Sequence, residues 1–334
     1  MINVVVRTSP LPVVSAQVSY CIGEAAVALQ AFATNGGTLN WYTTANGGTA
    51  SNVRPVPNTA TTGTKQFYVS QTINGCESAR NTITVAIQPL PVVSLTDGII
   101  CIRESNAAVE RSHILSAGLN NLDYEFTWTL NERILNNETS NRLAAIATGN
   151  YSVMARNRTT GCISNPASAV VTASYIGESI TISGSDAFVE NQALTVLVSG
   201  SGVYEYQLDY GLFQASNVFS NVSAGAHAIH VRDANGCTDL NEFVSVIGYL
   251  KFFTPNGDGY NDIWTIQGMK SDPSAKVSVF DRYGKLMKII NIDNQDWDGT
   301  YAGKALPSDD YWFVMDYTEK QSKKQFRGHF SLKR

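Results

Sequence analysis

One stretch of this sequence occurs twice. The pattern I-x-V-x-V-x-x-x-P-L-P-V-V-S begins at Ile2, and a near copy, I-T-V-A-I-Q-P-L-P-V-V-S, begins at Ile83. Alternating apolar residues followed by a proline-containing segment are typical of a strand that ends in a linker, and a long internal period indicates an array of similar domains. We therefore expect residues 1–9 to hold the last strand of a preceding, truncated repeat, and the chain to be the C-terminal piece of a longer protein.

Cysteine and tryptophan mark matching positions in successive repeats. Cys21, Trp41 and Cys76 form one set, and Cys101, Trp128 and Cys162 form the next. A strand with period-two alternation precedes the second cysteine of each set, Asn-Gly and Gly-Gly pairs separate the strands, and no long segment has helical periodicity. The sequence therefore predicts an all-β protein built from tandem immunoglobulin-like (Ig-like) β-sandwich domains.

A third repeat and a different last module follow. The third repeat keeps the closing turn that ends at Cys237 but has Phe188 where the first cysteine aligns. Residues 1–248 contain a single lysine, Lys65, whereas residues 249–334 contain ten. Because so abrupt a change indicates a domain boundary, we expect Ig-like repeats at 10–88, 89–174 and 175–248 and a separate C-terminal domain at 249–334.

Charge and hydropathy exclude two classes of protein. The net charge of −4 at pH 7 is too small to indicate a nucleic acid or an anionic membrane as a partner. No apolar run approaches the roughly 20 residues that a membrane helix needs.

The cysteine spacing predicts disulfides rather than a zinc site, because no C-x-x-C pair is present. Within each repeat the spacing pairs Cys21 with Cys76 and Cys101 with Cys162, the alternative being buried free thiols. Cys237 is then expected to be an unpaired, buried thiol, the alternative being a disulfide between two molecules. Disulfides of this kind indicate an oxidising compartment.

No catalytic motif is present, so the sequence predicts no enzyme and no cofactor. It lacks a nucleophile elbow, a phosphate-binding loop and H-E-x-x-H, and it has four histidines. His227 and His230 are three apart on a predicted strand, so their side chains are expected on opposite faces. His227 also aligns with aromatic residues of the other repeats, which favours a core position over a ligand.

The segment N-G-D-G-Y-N-D at 256–262 alternates oxygen-bearing side chains with glycine, as calcium loops do. Asp258 and Asp262 would supply the carboxylate ligands. However, Thr254 and Thr265 stand where such a loop would open and close with acids. A turn held by Asn and Asp side chains is therefore favoured over a calcium site.

The last ten residues alternate cleanly. Phe326, Phe330 and Leu332 are predicted to face a core, and Arg327, His329, Lys333 and Arg334 to face outward as a basic, partner-binding surface. The module also contains other aromatic residues, among them Trp264, Trp297, Tyr301, Tyr311, Trp312 and Phe313. We expect these aromatic residues to fill the core and its rim rather than to stack on sugars.

Five blocks in this module resemble a known family. They are F-T-P-N-G-D-G-Y-N-D-I-W (253–264), V-S-V-F-D-R-Y-G-K (277–285), W-D-G-T (297–300), L-P-S-D-D-Y-W-F (306–313) and F-R-G-H-F-S-L-K-R (326–334). Together they resemble the gliding-motility-associated C-terminal domain, the type B sorting domain of the type IX secretion system of Bacteroidota. The resemblance implies an Ig-like sandwich recognised during export across the outer membrane, with partners of the PorV and of the PorP or SprF kind. The third repeat is similar to the repeats of gliding adhesins of the SprB kind.

These features predict the C-terminal part of a secreted adhesin on the surface of a Gram-negative bacterium, with repeats as a stalk and a sorting domain for export. A surface glycan or substratum would be bound by repeats that precede this sequence. The alternative is the C-terminal region of a secreted polysaccharide-degrading enzyme. A third reading is that one of these domains binds carbohydrate itself.

Overall fold

The computed structural model describes residues 8–268, 272–291, 293–294, 296–319 and 321–334. All regular secondary structure in this part of the chain is β-strand, which confirms the predicted all-β class. No helix able to cross a membrane occurs among these residues. The strand expected at Ile2–Arg7 lies outside the described residues. The chain forms two compact units, one comprising Met1–Ile100 with Ser112–Thr172 and the other comprising Cys101–Arg111 with Ala173–Arg334.

Seven strands form the first sandwich: β1 (Val13–Val14), β2 (Gln17–Cys21), β3 (Ala31–Phe32), β4 (Thr38–Tyr42), β5 (Gly63–Ile73), β6 (Cys76–Glu77) and β7 (Asn81–Gln88). The larger sheet has the order β2-β7-β5-β4, with β6 on β5, and β1 pairs with β3 in a second sheet. Strand β2 lies parallel to β7, and the other pairs are antiparallel. Trp41, Phe67 and Val69 are buried between the sheets, as period-two alternation requires.

The next eight strands repeat this plan: β8 (Gly98–Arg103), β9 (Ala108–Arg111), β10 (His113–Ser116), β11 (Tyr124–Leu130), β12 (Arg133–Ile134), β13 (Arg142–Ala145), β14 (Gly149–Asn157) and β15 (Ala167–Tyr175). One sheet has the order β12-β11-β14-β15-β8-β9, and β10 pairs with β13. Trp128 is fully buried, and its indole Nε1–H donates to the Ser140 carbonyl at 2.8 Å. It therefore occupies the place that Trp41 has in the first sandwich.

The third sandwich has six strands: β16 (Ser179–Gly184), β17 (Leu194–Ser199), β18 (Tyr204–Leu208), β19 (Val218–Phe219), β20 (Gly225–Asp233) and β21 (Asp239–Val246). Its sheets have the orders β16-β17-β19 and β18-β20-β21. Val196, Ile229 and Val231 lie at the centre of the core between them.

The C-terminal sandwich contains β22 (Gly248–Tyr249), β23 (Phe252–Phe253), β24 (Trp264–Gln267), β25 (Lys276–Phe280), β26 (Leu286–Ile290), β27 (Asp296–Trp297), β28 (Thr300–Tyr301), β29 (Lys304–Ala305), β30 (Asp309–Glu319) and β31 (Ser322–Leu332). A five-stranded sheet, β23-β31-β30-β25-β26, faces β22-β24-β27, and β28 pairs with β29. Aromatic rings dominate the core, with Trp264, Trp297, Phe253, Phe313 and Phe330 all buried.

The disulfide pairing expected from the sequence is wrong. Cys21 is bonded to Cys162, with an Sγ–Sγ distance of 2.03 Å, and Cys101 is bonded to Cys237 at 2.00 Å. Cys237, expected to be unpaired, is therefore bonded, while Cys76, expected to be bonded, is a free and exposed cysteine. We call Cys21 and Cys101, on β2 and β8, the strand cysteines. Cys76, Cys162 and Cys237, which follow β5, β14 and β20, are the hairpin cysteines.

Strand register explains why the two cysteines of one repeat do not pair. Parallel pairing places Cys21 opposite Gln88, at the end of β7. Antiparallel pairing places Val69 opposite Asn81, at the start of β7, and β5 continues beyond this point to the hairpin that holds Cys76. The two cysteines thus lie at opposite ends of the sheet, roughly 10 strand positions or about 30 Å apart. A disulfide requires a Cα separation below about 7 Å.

Phe188 stands in the third sandwich where a strand cysteine is expected, and it contacts the following domain. Its amide donates to the Ile247 carbonyl, as the Ile22 amide donates to Gln88 in the first sandwich. Its ring stacks on Phe326 of the C-terminal sandwich with centroids 4.1 Å apart. In the first two repeats the cysteine at this position forms a disulfide with the next domain. Phe188 instead packs against the domain that follows it.

Candidate functional site

The last strand of the chain lies inside the five-stranded sheet. β31 pairs antiparallel with β30 along its whole length, from Ser322 opposite Glu319 to Leu332 opposite Asp309. Its end also pairs in parallel with β23. Phe330 and Leu332 are buried, so the predicted inward set is confirmed at these positions, and Phe326 is half-buried against the same core.

Phe330 is the centre of an aromatic cluster. Its ring stacks on Trp264 with centroids 3.8 Å apart and meets Trp297 edge-on at 5.9 Å. Tyr311 and Phe313, on the neighbouring strand, lie 6.1 and 6.2 Å from it. Contacts of this kind between rings add to the free energy gained by burial.

The opposite surface of the sheet, which we call the outer face, combines apolar, basic and acidic side chains. It presents Phe252, Phe280, Leu286, Ile289, Asp310, Trp312, Val314, Asp316, Arg327, His329 and Lys333. Trp312 remains 44% exposed and Phe252 43%. Lys333 Nζ lies 4.7 Å from the Phe252 ring centroid, and Trp312 is paired across strands with His329. A cluster of exposed aromatic residues beside cations is typical of a protein-binding surface.

Sequence reasoning found only the basic part of this face. Arg327, His329 and Lys333 are exposed. Trp312, which was grouped with the residues of the core and its rim, lies on the outer face instead. Its neighbours Tyr311 and Phe313 are both buried, and adjacent residues of a strand point to opposite faces. This alternation was the signal that could have placed Trp312 outside.

Arg334 differs from the other three basic residues because its guanidinium forms hydrogen bonds with carbonyls of three loops at one end of the domain. Its Nε–H donates to the Leu306 carbonyl at 3.0 Å, and its two Nη groups approach the carbonyls of Gly299 and Pro255 at 3.4 Å. Its amide donates to the Ser308 hydroxyl at 2.8 Å. Arg334 therefore links these loops by hydrogen bonds and is not a free surface charge.

The two neighbouring basic residues should respond differently to removal of the side chain. We expect Arg334→Ala to destabilise the chain by about 1 kcal/mol, because three loop carbonyls lose a charged donor. Lys333→Ala serves as the control and should change stability by less than about 0.5 kcal/mol. Chemical denaturation of each variant measures the difference in the free energy of unfolding. Equal values for the two variants would show that the hydrogen bonds of Arg334 do not stabilise the fold.

The segment at 256–262 forms a turn in which both carboxylates accept backbone hydrogen bonds. Asp262 accepts from the amides of Asn256 and Gly257 with one oxygen, and from Gly259 with the other. Asp258 accepts from the Tyr260 amide at 2.8 Å and from the Asn256 side chain. Among the described residues, no group of three or more His, Cys, Asp or Glu could hold a metal ion. The geometry supports the turn.

Acid should weaken this turn. The amides of Gly257 and Gly259 hold the pKa of the Asp262 carboxyl below its ordinary value of 3.8. A carboxyl whose pKa is lower in the folded state stabilises that state above the ordinary pKa, and the effect is lost as the pH falls through the folded value. Asp262→Asn should therefore lower the melting temperature of the C-terminal sandwich near neutral pH, and the difference from wild type should shrink below about pH 4.

Thermal melts at several pH values, with calcium or with a chelator, measure this effect. We expect calcium to leave the wild-type melting temperature unchanged. A calcium-dependent rise that Asp262→Asn abolishes would instead identify a metal site, by linkage of the ion to the folded state.

The two histidines of β20 do not form a site together. His227 is buried, with its ring nitrogens 2.8 Å from an Asp209 carboxylate oxygen and from the Ser223 carbonyl. His230 lies on the other face of the strand, with Nε2 2.6 Å from Asp239. Both histidines therefore form structural hydrogen bonds with nearby loop and strand residues. The expected core position of His227 is confirmed.

Comparison with known proteins matches two segments to families. Residues 247–332 match the CHU_C type IX secretion signal domain, and residues 10–89 match an Ig-like domain described as CHU_C associated. A search of curated proteins gave no match.

Solved structures with similar chains are tandem Ig domains and a bacterial adhesin. Sidekick-1 immunoglobulin domains 1–4 share 9% identity over 97% of this chain and 99% of that chain, with a TM-score of 0.22. The N-terminal four Ig domains of Dscam1 isoform 1.9 share 10% identity over 97% and 98%, with a TM-score of 0.23. The third is described as a Ca²⁺-stabilized adhesin that helps an Antarctic bacterium bind ice, with 12% identity over 98% and 100% and a TM-score of 0.29.

None of these three structural similarities bears on what the chain binds. The assignment of the chain to a protein class rests on the two family matches. A type IX secretion signal implies a secreted or cell-surface protein, typically of Bacteroidota, that is recognised by the type IX secretion machinery. The chain is thus a secreted protein that carries a C-terminal type IX secretion signal domain together with an Ig-like domain of the kind associated with it.

Proposed function

We propose that this chain belongs to a cell-surface adhesin that acts in attachment and gliding motility. In this proposal the Ig-like domains form a stalk and the C-terminal sandwich directs export. The observation that carries the proposal is the pair of disulfides, each of which joins one Ig-like repeat to the next. Cross-links between successive domains limit how far a chain can be pulled apart, a property that a load-bearing stalk needs and a catalytic domain does not.

The Ig-like region is assigned no catalysis in this proposal, and ligand binding is assigned to repeats that precede residue 8. A surface glycan or the substratum is the ligand class that suits an attachment role. The competing assignment is the C-terminal region of a secreted polysaccharide-degrading enzyme, because a sorting domain serves any cargo.

Deletion of the gene in the source bacterium distinguishes the two assignments. We expect mutant cells to lose attachment to glass and gliding, with unchanged release of sugars from polysaccharide. Loss of polysaccharide degradation with normal attachment would assign the chain to an enzyme instead.

For export, we propose that the outer face of the five-stranded sheet docks on outer-membrane components of the PorV and of the PorP or SprF kind. Its exposed aromatic and aliphatic side chains supply apolar area, and Arg327, His329 and Lys333 supply positive charge at its edge. Buried apolar anchors carry most of the affinity in protein interfaces, whereas charges at the rim mainly set rate and specificity.

Secretion of the whole chain, fused behind a folded reporter, tests this surface. Trp312→Ala should reduce secretion several-fold without lowering the melting temperature by more than a few degrees. Tyr260→Ala is the matched control, because Tyr260 is 79% exposed in the turn at 256–262 and lies outside this sheet. Equal secretion of the two variants would contradict docking through the outer face.

A further inference from the structure

The two disulfides use the same pair of positions. In each, a strand cysteine of one repeat is bonded to the hairpin cysteine of the repeat that follows it in the chain: Cys21 to Cys162, and Cys101 to Cys237. The Cα–Cα distances are 5.6 and 5.4 Å. Both fall in the range usual for disulfides, so each cross-link uses the same two positions of the repeat.

Cys76 is the third member of the hairpin set, and it holds the same place in its repeat as the bonded members. It opens β6 opposite Ile73, just after the long strand β5, as Cys162 follows β14 and Cys237 follows β20. In the part of the chain that the structure describes, it is the one cysteine without a bond, and it is exposed. Secreted proteins seldom leave such a thiol unpaired.

The chain that leads into the first sandwich passes directly beside this cysteine. The Ser9 hydroxyl donates to the Cys76 carbonyl at 2.7 Å, and the Gln71 side chain donates to the Pro10 carbonyl at 2.7 Å. A domain attached before residue 8 would therefore be delivered to the end of the sandwich that holds Cys76, within a few residues of linker.

The sequence independently indicates what that domain is. Residues 2–6 repeat the pattern of residues 83–87, which lie on β7. In the first sandwich β7 is the strand that pairs with β2 and lies beside Cys21. A copy of this sequence pattern indicates a preceding repeat of the same kind, with a position for its own strand cysteine.

We propose that Cys76 is the acceptor of a disulfide from the strand cysteine of an Ig-like repeat that precedes residue 8. Two thiols each lose a proton and an electron to form the S–S bond. A thiol–disulfide oxidant of the periplasm, itself a protein or small-molecule disulfide, takes up both electrons and both protons and becomes a dithiol. The same cross-link then joins every consecutive pair of repeats.

Peptide mapping of the full protein from the cell surface tests the assignment. Free thiols are first blocked with iodoacetamide under native conditions, and the protein is then digested without reductant. We expect Cys76 to be unmodified and to be recovered in a disulfide with a cysteine peptide from the region before residue 8. Alkylated Cys76, or a Cys76 peptide linked to that of a second copy, would overturn the proposal.

A Cys76→Ser variant of the full protein provides the second measurement. Because the side chain is exposed, we expect the variant to fold and to keep the Cys21–Cys162 and Cys101–Cys237 bonds. Alkylation should then label one additional cysteine in the upstream repeat, a change from zero to one per chain. If no upstream cysteine becomes reactive, Cys76 has no partner there and the proposal is wrong.

Discussion

When the molecule is pulled from its two ends until it unfolds, we expect the distance between Cys21 and Cys237 to reach only about 210 Å if both disulfides are intact. After reduction the same distance should reach about 760 Å. The four bonded cysteines divide this part of the chain into segments of about 80, 61 and 75 residues. Because Cys21 meets Cys162 and Cys101 meets Cys237, all three segments run between the same two cross-links. The shortest segment, from Cys101 to Cys162, limits the extension at about 3.5 Å per residue.

Single-molecule force spectroscopy with and without a reductant measures these lengths, and paired serine variants supply controls. Without the Cys101–Cys237 bond the limit should rise to about 260 Å, and without the Cys21–Cys162 bond to about 280 Å. Pairing within repeats would instead give about 350 Å for the wild type. That value would contradict the disulfides described above.

Phe330→Ala is expected to destabilise the C-terminal sandwich by about 3 to 5 kcal/mol and to abolish secretion. The side chain is fully buried, so its removal leaves a cavity among Trp264, Trp297, Tyr311 and Phe313 in addition to the lost transfer free energy. A change of this size is a large part of the stability of a small domain. Secretion should therefore fall because the folded surface is lost.

Lys333→Ala on the same strand is the matched control, since it removes an exposed charge and no core contact. It should melt like the wild type, and any loss of secretion in this variant reports on docking alone. Phe330→Leu should fall between the two, because it retains most of the buried volume. Normal secretion of Phe330→Ala without a cooperative melting transition would show that the signal is read as linear sequence and not as a folded surface.

The strand pattern could be predicted from the sequence because burial alternates along each strand. Phe330 and Leu332 were assigned to the core by this alternation, and they are buried. The disulfides could not be predicted, because sequence spacing does not reveal at which end of a sandwich a cysteine lies. That information is in the register, with Cys21 opposite Gln88 and Cys76 beyond the start of β7.

Only part of the outer face could be predicted from the sequence, for a related reason. Basic residues are conspicuous in sequence, and Arg327, His329 and Lys333 were identified by their alternation with apolar neighbours. The apolar half of the outer face depends on which strands are neighbours: β25 and β26 bring Phe280 and Ile289 to the same surface as Trp312. Neighbour order in a sheet is a property of the tertiary fold, and no local pattern specifies it.

Phe188 bears on how such a protein can change in length during evolution. Since each strand cysteine bonds only to the repeat after it, a whole repeat can be inserted into or deleted from the array without leaving an orphan thiol at the junction. The last repeat is the exception, because the sorting domain has no cysteine to offer, and a phenylalanine that stacks on Phe326 resolves it. Phe188 thus ends the series of disulfide-linked repeats. Repeats can be gained or lost before it, while the same non-covalent contact with the export domain is retained.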